Sequence, residues 1–158
     1  DAGGIGKGLA ADLMSNYVMQ LGGMGVAVFA GGDVAVKGMA VDAVGWQVNI
    51  SDPHNVDSFI DSVLLSRGGL ATSSPMGWKN ASAHHIIDPR SHKSSDSDVL
   101  QATVIAQNAA QAETLAKMCV ILGTQAGISR IDSLGAAALI VDNMNQVHTS
   151  QNWETYSC

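Results

Sequence analysis

The segment L-Q-A-T-V-I-A-Q-N-A-A-Q-A-E-T-L-A-K-M-C-V-I-L-G (Leu100–Gly123) changes its hydrophobic period halfway along. Leu100 to Ala106 is a β-type run rich in apolar and branched side chains. From Ala109 the apolar positions move to helical spacing, with Ala109, Ala112, Leu115, Ala116, Cys119, Val120 and Leu122 on one stripe. Asn108 stands where a helix needs a side-chain acceptor for its first N–H groups, and Gly123 where a helix ends. A strand therefore feeds directly into a helix. Working outward, Gln125 to Leu134 reads as a short amphipathic helix, Ala136 to Val141 as a buried strand, and Gln146 to Thr149 as its hairpin partner. Upstream, Val26 to Ala30 is a short apolar strand that runs into Gly31-Gly32-Asp33, followed by Val34, Val36 and Gly38. Trp46, Val48 and Ile50 alternate with Gln47 and Asn49 until Ser51-Asp52-Pro53 stops them, and Phe59 to Ser66 reads as another strand, with a helical turn the alternative. No steady strand–helix alternation runs through this order. The expectation is an α+β fold, with mixed or antiparallel sheets and two or three packed helices.

The 158 residues suit a single domain able to bury a core. Hydrophobic residues are 46% of the chain and charged ones 14%, which excludes a disordered protein. The net charge of −6 without a basic run argues against nucleic-acid binding. Two cysteines are too few for a disulfide framework, and Cys119 in the apolar stripe reads as a buried thiol. No apolar run reaches membrane-spanning length, and no signal peptide is visible. The first residue is Asp1, not methionine, as in a processed or partial chain.

Several stretches carry chemistry. In S-A-H-H-I-I-D-P-R (Ser82–Arg90), alternation sets His85, Ile87 and Pro89 on one side and His84, Ile86 and Asp88 on the other, and Asp-Pro should end the strand. An imidazole beside a carboxylate and a guanidinium suits proton transfer at an anionic substrate, while half-buried histidines before a turn are the plain alternative. D-A-G-G-I-G-K-G (Asp1–Gly8) precedes a helix with Leu9, Ala10, Leu13, Met14, Tyr17, Val18 and Leu21 at helical spacing. A glycine-rich turn opening a helix offers N–H groups to an anion, and Lys7 adds a point charge; the spacing is not that of a Walker motif. Gly31-Gly32-Asp33 is a hairpin turn or a close backbone approach in which Asp33 binds a ligand hydroxyl or N–H groups. Gly68-Gly69-Leu70-Ala71-Thr72-Ser73-Ser74 combines a flexible joint with hydroxyls able to hold phosphate or ribose oxygens. Asn80-Ala81-Ser82 fits a glycosylation sequon and carries no role here, and Ser91 to Asp98 is the candidate for a mobile surface loop. Glu113 and Lys117, acid first at helical spacing, would on an exposed face contribute only about 0.2–0.5 kcal/mol.

Taken in order, D-A-G-G-I-G-K-G-L-A-A-D (Asp1–Asp12), A-G-G-D-V (Ala30–Val34), W-Q-V-N-I-S-D-P (Trp46–Pro53), G-L-A-T-S-S (Gly69–Ser74), H-H-I-I-D-P-R (His84–Arg90) and A-E-T-L-A-K-M-C-V-I-L-G (Ala112–Gly123) resemble the ApbE-type FAD:protein FMN transferases, the flavin-trafficking family. The likeness runs from Asp1 to about Val141 and implies a T-fold-like core. It implies cleavage of the FAD pyrophosphate, attachment of FMN to a Thr or Ser of a flavin-accepting partner protein, and release of AMP. By the same resemblance His85 is the base, with Asp88 and Arg90 continuing its motif. Lys7 with Gly3 and Gly4, the Gly31, Gly32 and Asp33 segment, and Thr72 and Ser73 line the flavin site. The family holds Mg²⁺ with an aspartate, a small residue four positions on, and a main-chain carbonyl. The matching residues here are Glu113, Lys117 and Gly6. A protonated lysine cannot ligate Mg²⁺, so Lys117 is expected to take the cation's place beside Glu113. Family members carry a further region before the glycine-rich segment, which this chain is expected to lack, and they act mostly outside the cytoplasmic membrane. Two other classes stay open: a silent flavin- or nucleotide-binding relative, and a structural or assembly domain.

Overall fold

The change of period at Asn108 is a strand-to-helix junction in the computed structural model, which describes residues 2–41, 44–55, 57–76, 79–80 and 83–158. Asp1, and Ala81 and Ser82 of the sequon, lie outside the described residues. A 3-10 turn (Ala2–Gly4) leads into α1 (Gly6–Gln20). Strands β1 (Gly25–Ala30), β2 (Asp33–Gly38), β3 (Trp46–Ser51), β4 (Phe59–Leu65) and β5 (Gly68–Ser73) follow. The two-residue strands β6 (Lys79–Asn80), β7 (Ala83–His84), β8 (Ile87–Asp88) and β9 (Lys93–Ser94) precede β10 (Val99–Ala106). Then come α2 (Ala109–Leu122), α3 (Thr124–Ser133), β11 (Ala137–Asp142), β12 (Val147–Thr149) and a last 3-10 turn (Trp153–Thr155). One antiparallel sheet has the order β1-β2-β5-β10-β11-β12, and β3–β4 forms a separate antiparallel hairpin. The α+β expectation therefore holds.

Alternation along the central strands sends successive side chains to opposite layers. On β11, Ala137, Leu139 and Val141 pack with Val48, Ile50, Val63, Leu65 and Trp153, the layer of the β3–β4 hairpin. Ala138 and Ile140 pack the other way, against Leu115, Ala116, Cys119 and Val120 of α2 and Ile131 of α3. The Asn108 side chain accepts the Gln111 N–H at 2.8 Å, and Gly123 ends α2 at φ +87°. Cys119 is a buried free thiol, pushed up to about 12 by burial. Leu122 departs from the expected stripe and is partly exposed. No helix among the described residues is long and apolar enough to cross a membrane.

Three readings of the sequence are corrected. The helix of α1 begins at Gly6, so Gly6, Lys7 and Gly8 are its first turn and not a loop before it. Its large apolar residues Leu9, Leu13, Met14, Tyr17 and Leu21 face outward, and Gly8, Ala11, Asp12 and Ser15 are buried. The reason is distance: a Cβ at Gly8 would lie 2.5 Å from the Ala109 carbonyl oxygen, so α1 crosses α2 too closely for large side chains. Second, Gly68–Ser73 is no flexible joint but a central strand, whose Gly69 passes so near α2 that a Cβ would lie 2.2 Å from the Ala109 nitrogen. Third, Ser91 to Asp98 is tied down: Lys93 and Ser94 pair with β8, the Ser97 hydroxyl donates to the Val120 carbonyl, and Asp98 accepts the Thr124 N–H.

The α1–α2 crossing is sealed by Asp12. Its Oδ1 accepts the Ala109 N–H and its Oδ2 the Ala110 N–H, both at 2.9 Å, so a residue of α1 caps the start of α2 alongside Asn108. Asp12→Ala is expected to cost about 2–4 kcal/mol in urea unfolding, because a cap is lost and two N–H groups are left without acceptors. Asp12→Asn keeps one acceptor oxygen and should cost about half as much.

Candidate functional site

The β1–β2 hairpin turns through Gly31 and Gly32 at φ +56° and +94°, the left-handed pair a two-residue hairpin requires. Asp33, the first residue of β2, is fully buried behind that turn. Lys7, on the first turn of α1, lies across Gly31 and reaches Asp33 Oδ2 with its Nζ at 2.7 Å. The same ammonium is 3.4 Å from Glu113 Oε1. Glu113, on α2, is fully buried; Lys117 Nζ donates to its Oε1 at 2.9 Å, and the Gly8 N–H donates to its Oε2 at 2.9 Å. Lys7, Asp33, Glu113 and Lys117 thus form one chain of alternating charge. The exposed helix-surface pair considered from spacing alone is a half-hidden one.

The two carboxyls shift in opposite directions. Burial pushes Asp33 up, with the Glu113 charge adding to it, and the Lys7 hydrogen bond and the two ammonium charges do not overcome it. Burial also acts on Glu113, but the Lys117 hydrogen bond, the Gly8 N–H and the two ammonium charges outweigh it and hold the carboxyl below its ordinary range.

A cleft of about 430 Å³ opens above this network, lined by Gly3, Lys7, Gly31, Thr72, Ser73, Ser74, His85 and Lys117. It gathers, from α1, the β1–β2 turn, β5 and the His84–Arg90 segment, most of the flavin-site residues expected from sequence. The alternation expected around His85 is present: His85, Ile87 and Pro89 are exposed, Ile86 is buried, and His84 and Asp88 are partly covered. Strand β8 ends at Asp88, before Pro89. The Thr72 hydroxyl pairs with that of Thr103 at 2.8 Å. Ser74 belongs to the run of hydroxyls read from sequence but not to the flavin-site pair that the resemblance implies; its Oγ donates to the Leu100 carbonyl and accepts the Met76 N–H.

Other expected residues stand apart from the cleft. Gly4 and Arg90 line an adjoining apolar groove with Pro89, Thr114, Met118, Ile121 and Leu122, and Lys117 lines both cavities. Asp88 lines neither; it holds the Arg90 guanidinium in a two-pronged pair, Nε to Oδ1 at 3.0 Å and Nη2 to Oδ2 at 2.8 Å. That hydrogen bond to Arg90 keeps the Asp88 carboxyl below the usual range. Asp33 and Glu113 sit behind the wall, under Lys7 and Lys117. Gly32 faces a second crevice beside Phe29, Val48 and Gln101. Gly6 is the first residue of α1. The donor set does not fit Mg²⁺, which demands oxygen ligands in near-octahedral array. Glu113 has both oxygens engaged by the Gly8 N–H and the lysines, and the second side-chain position is an ammonium.

With strand order, cleft and charge network in hand, the comparisons are consistent. The chain belongs to the ApbE family, whose model matches residues 1–140. It is 24% identical to the FAD:protein FMN transferase of Vibrio cholerae serotype O1, over 99% of this chain and 47% of that protein. It is 26% identical to the enzyme of the same name from Salmonella typhimurium, over 89% of this chain and 42% of that one. Among solved structures it resembles the ApbE protein of Thermotoga maritima, with a TM-score of 0.91, 26% identity, and coverage of 100% of this chain and 53% of that one. The chain spans about half the length of these relatives.

Asp33 supplies a pH test. Its folded-state carboxyl titrates above 3.8, so as pH rises through 3.8 the unfolded chain ionises first, and the stability due to Asp33 is lost up to its raised folded value. Glu113 acts oppositely, losing its contribution as pH falls through a value below 4.5. Urea midpoints measured across this range should show Asp33→Asn declining less than the wild type as pH rises above 3.8.

Proposed function

We propose that this protein transfers FMN from FAD to a Thr or Ser hydroxyl of a flavin-accepting protein and releases AMP. The observation that carries the reading is the meeting of Lys7, Thr72, Ser73, His85 and Lys117 on one cleft. The family and the names of the relatives point to the same chemistry.

In this reading the acceptor oxygen attacks the phosphorus of the FMN half. Its proton passes to the His85 ring, a new P–O bond forms, and the bond to the bridging oxygen breaks so that AMP leaves with that oxygen. Lys7 and Lys117 face the negative charge that moves onto the leaving group. Asp33 is a positioning residue that fixes Lys7 from below, and Asp88 one that fixes Arg90 at the mouth of the neighbouring groove. The hydroxyls of Thr72 and Ser73 offer donors to a ribityl or phosphate oxygen, while Ser74, whose hydrogen goes to the Leu100 carbonyl, helps to shape the wall. A site of action outside the cytoplasmic membrane is also part of the reading and rests on the family resemblance alone.

His85 is exposed, so its replacement should leave the fold intact. His85→Ala is expected to lower AMP release from FAD, in the presence of a Thr-containing acceptor, by on the order of a hundredfold or more, with flavin binding retained. Equal release by wild type and variant, or none from the wild type, would overturn the proposal.

A further inference from the structure

We propose that the ammonium of Lys117 stands where relatives would place a divalent cation, and that this chain handles its anionic ligand without metal. This rests on the transferase reading only for the identity of the ligand, a pyrophosphate diester. The correspondence with a cation position rests on the motif resemblance, and the exclusion of a cation beside Lys117 comes from the charge network.

Two ammonium groups, Lys7 and Lys117, face two buried carboxylates, Asp33 and Glu113, with contacts of 2.7, 2.9 and 3.4 Å. The cluster is already neutral. A divalent ion on Glu113 would have to expel Lys117 or crowd against it, and like charges repel strongly in a partly dry site. A surface pair would have no need of such shelter: the Glu113 side chain is 1% exposed and that of Lys117 22%. Nor is Lys117 turned away from the ligand side, since it lines both the His85 cleft and the Arg90 groove. A ligand spanning those cavities would bring its anionic centre to this ammonium. A lysine fixed by a buried carboxylate supplies one positive charge at a set place, as a bound cation would, but with no exchange into solvent.

The metal arm of the test uses no flavin, so it stands or falls apart from the transferase reading. Free Mn²⁺ is followed by electron paramagnetic resonance as it is titrated into the purified protein. The wild type should leave the Mn²⁺ signal undiminished, whereas Lys117→Thr should take up about one ion per chain, and Lys117→Thr combined with Glu113→Gln should take up none. Stoichiometric Mn²⁺ uptake by the wild type, or no uptake by Lys117→Thr, would overturn the proposal. The ligand arm measures ADP binding with a chelator present. Lys117→Thr should bind ADP on the order of tenfold to a hundredfold more weakly than the wild type, and Lys117→Arg should recover most of the loss. Unchanged affinity in Lys117→Thr, or wild-type binding that appears only when Mg²⁺ is added, would also overturn it. Circular dichroism on each variant separates these results from misfolding.

Discussion

The close crossing of α1 over α2 is the constraint on which the rest depends. Gly8 lets the helices approach to backbone contact, and its N–H is spent on Glu113 Oε2. One turn further along, Asp12 takes the first N–H groups of α2. The helix that supplies Lys7 and the helix that supplies Lys117 are thereby locked in one register. Gly69 of β5 meets the same start of α2, which sets the strand carrying Thr72 and Ser73 against it. Placing a side chain at either glycine would separate the elements that build the cleft wall.

That crossing also explains the electrostatics. Burying a carboxylate is unfavourable unless charge and hydrogen bonds compensate, and Glu113 receives both from three directions. Asp33 receives less, its Oδ1 having no hydrogen-bond partner among the described residues, and burial shifts its carboxyl the opposite way. Two acids behind the wall and two lysines at it make a neutral base with a positive face. A cleft so arranged presents positive charge at its surface while the four groups sum to zero, in a chain whose overall charge is −6.

Much of this was legible in sequence where local rules and packing agree. Asn108, the apolar stripe and Gly123 delimit α2 because cap, period and stop signal coincide. The turn at Gly31-Gly32 was legible as a hairpin for the same reason. The spacing of Leu9, Leu13 and Tyr17 marks α1 as a helix but not its buried face, since what fits at a tight crossing is Gly8, Ala11 and Ser15. Gly68-Gly69 read as flexibility because sequence does not show that α2 lies over the strand. Asp12 gave no sign of its role, as its partners Ala109 and Ala110 are distant in the chain. The site was legible through motifs more than through chemistry: His85, Lys7 and Thr72 do share a cleft, whereas Asp33 and Glu113 act from behind it and Asp88 through Arg90. Spacing alone placed Glu113–Lys117 on a helix surface, and only the α1 crossing buries it.

The most direct measurement is the mass of a Thr-containing acceptor peptide or protein incubated with this chain and FAD, once with Mg²⁺ and once with excess chelator. A gain of one FMN in both, at comparable rates, is the result expected of a flavin transferase that carries its own cation. A gain that occurs only with Mg²⁺, or in neither, would contradict it.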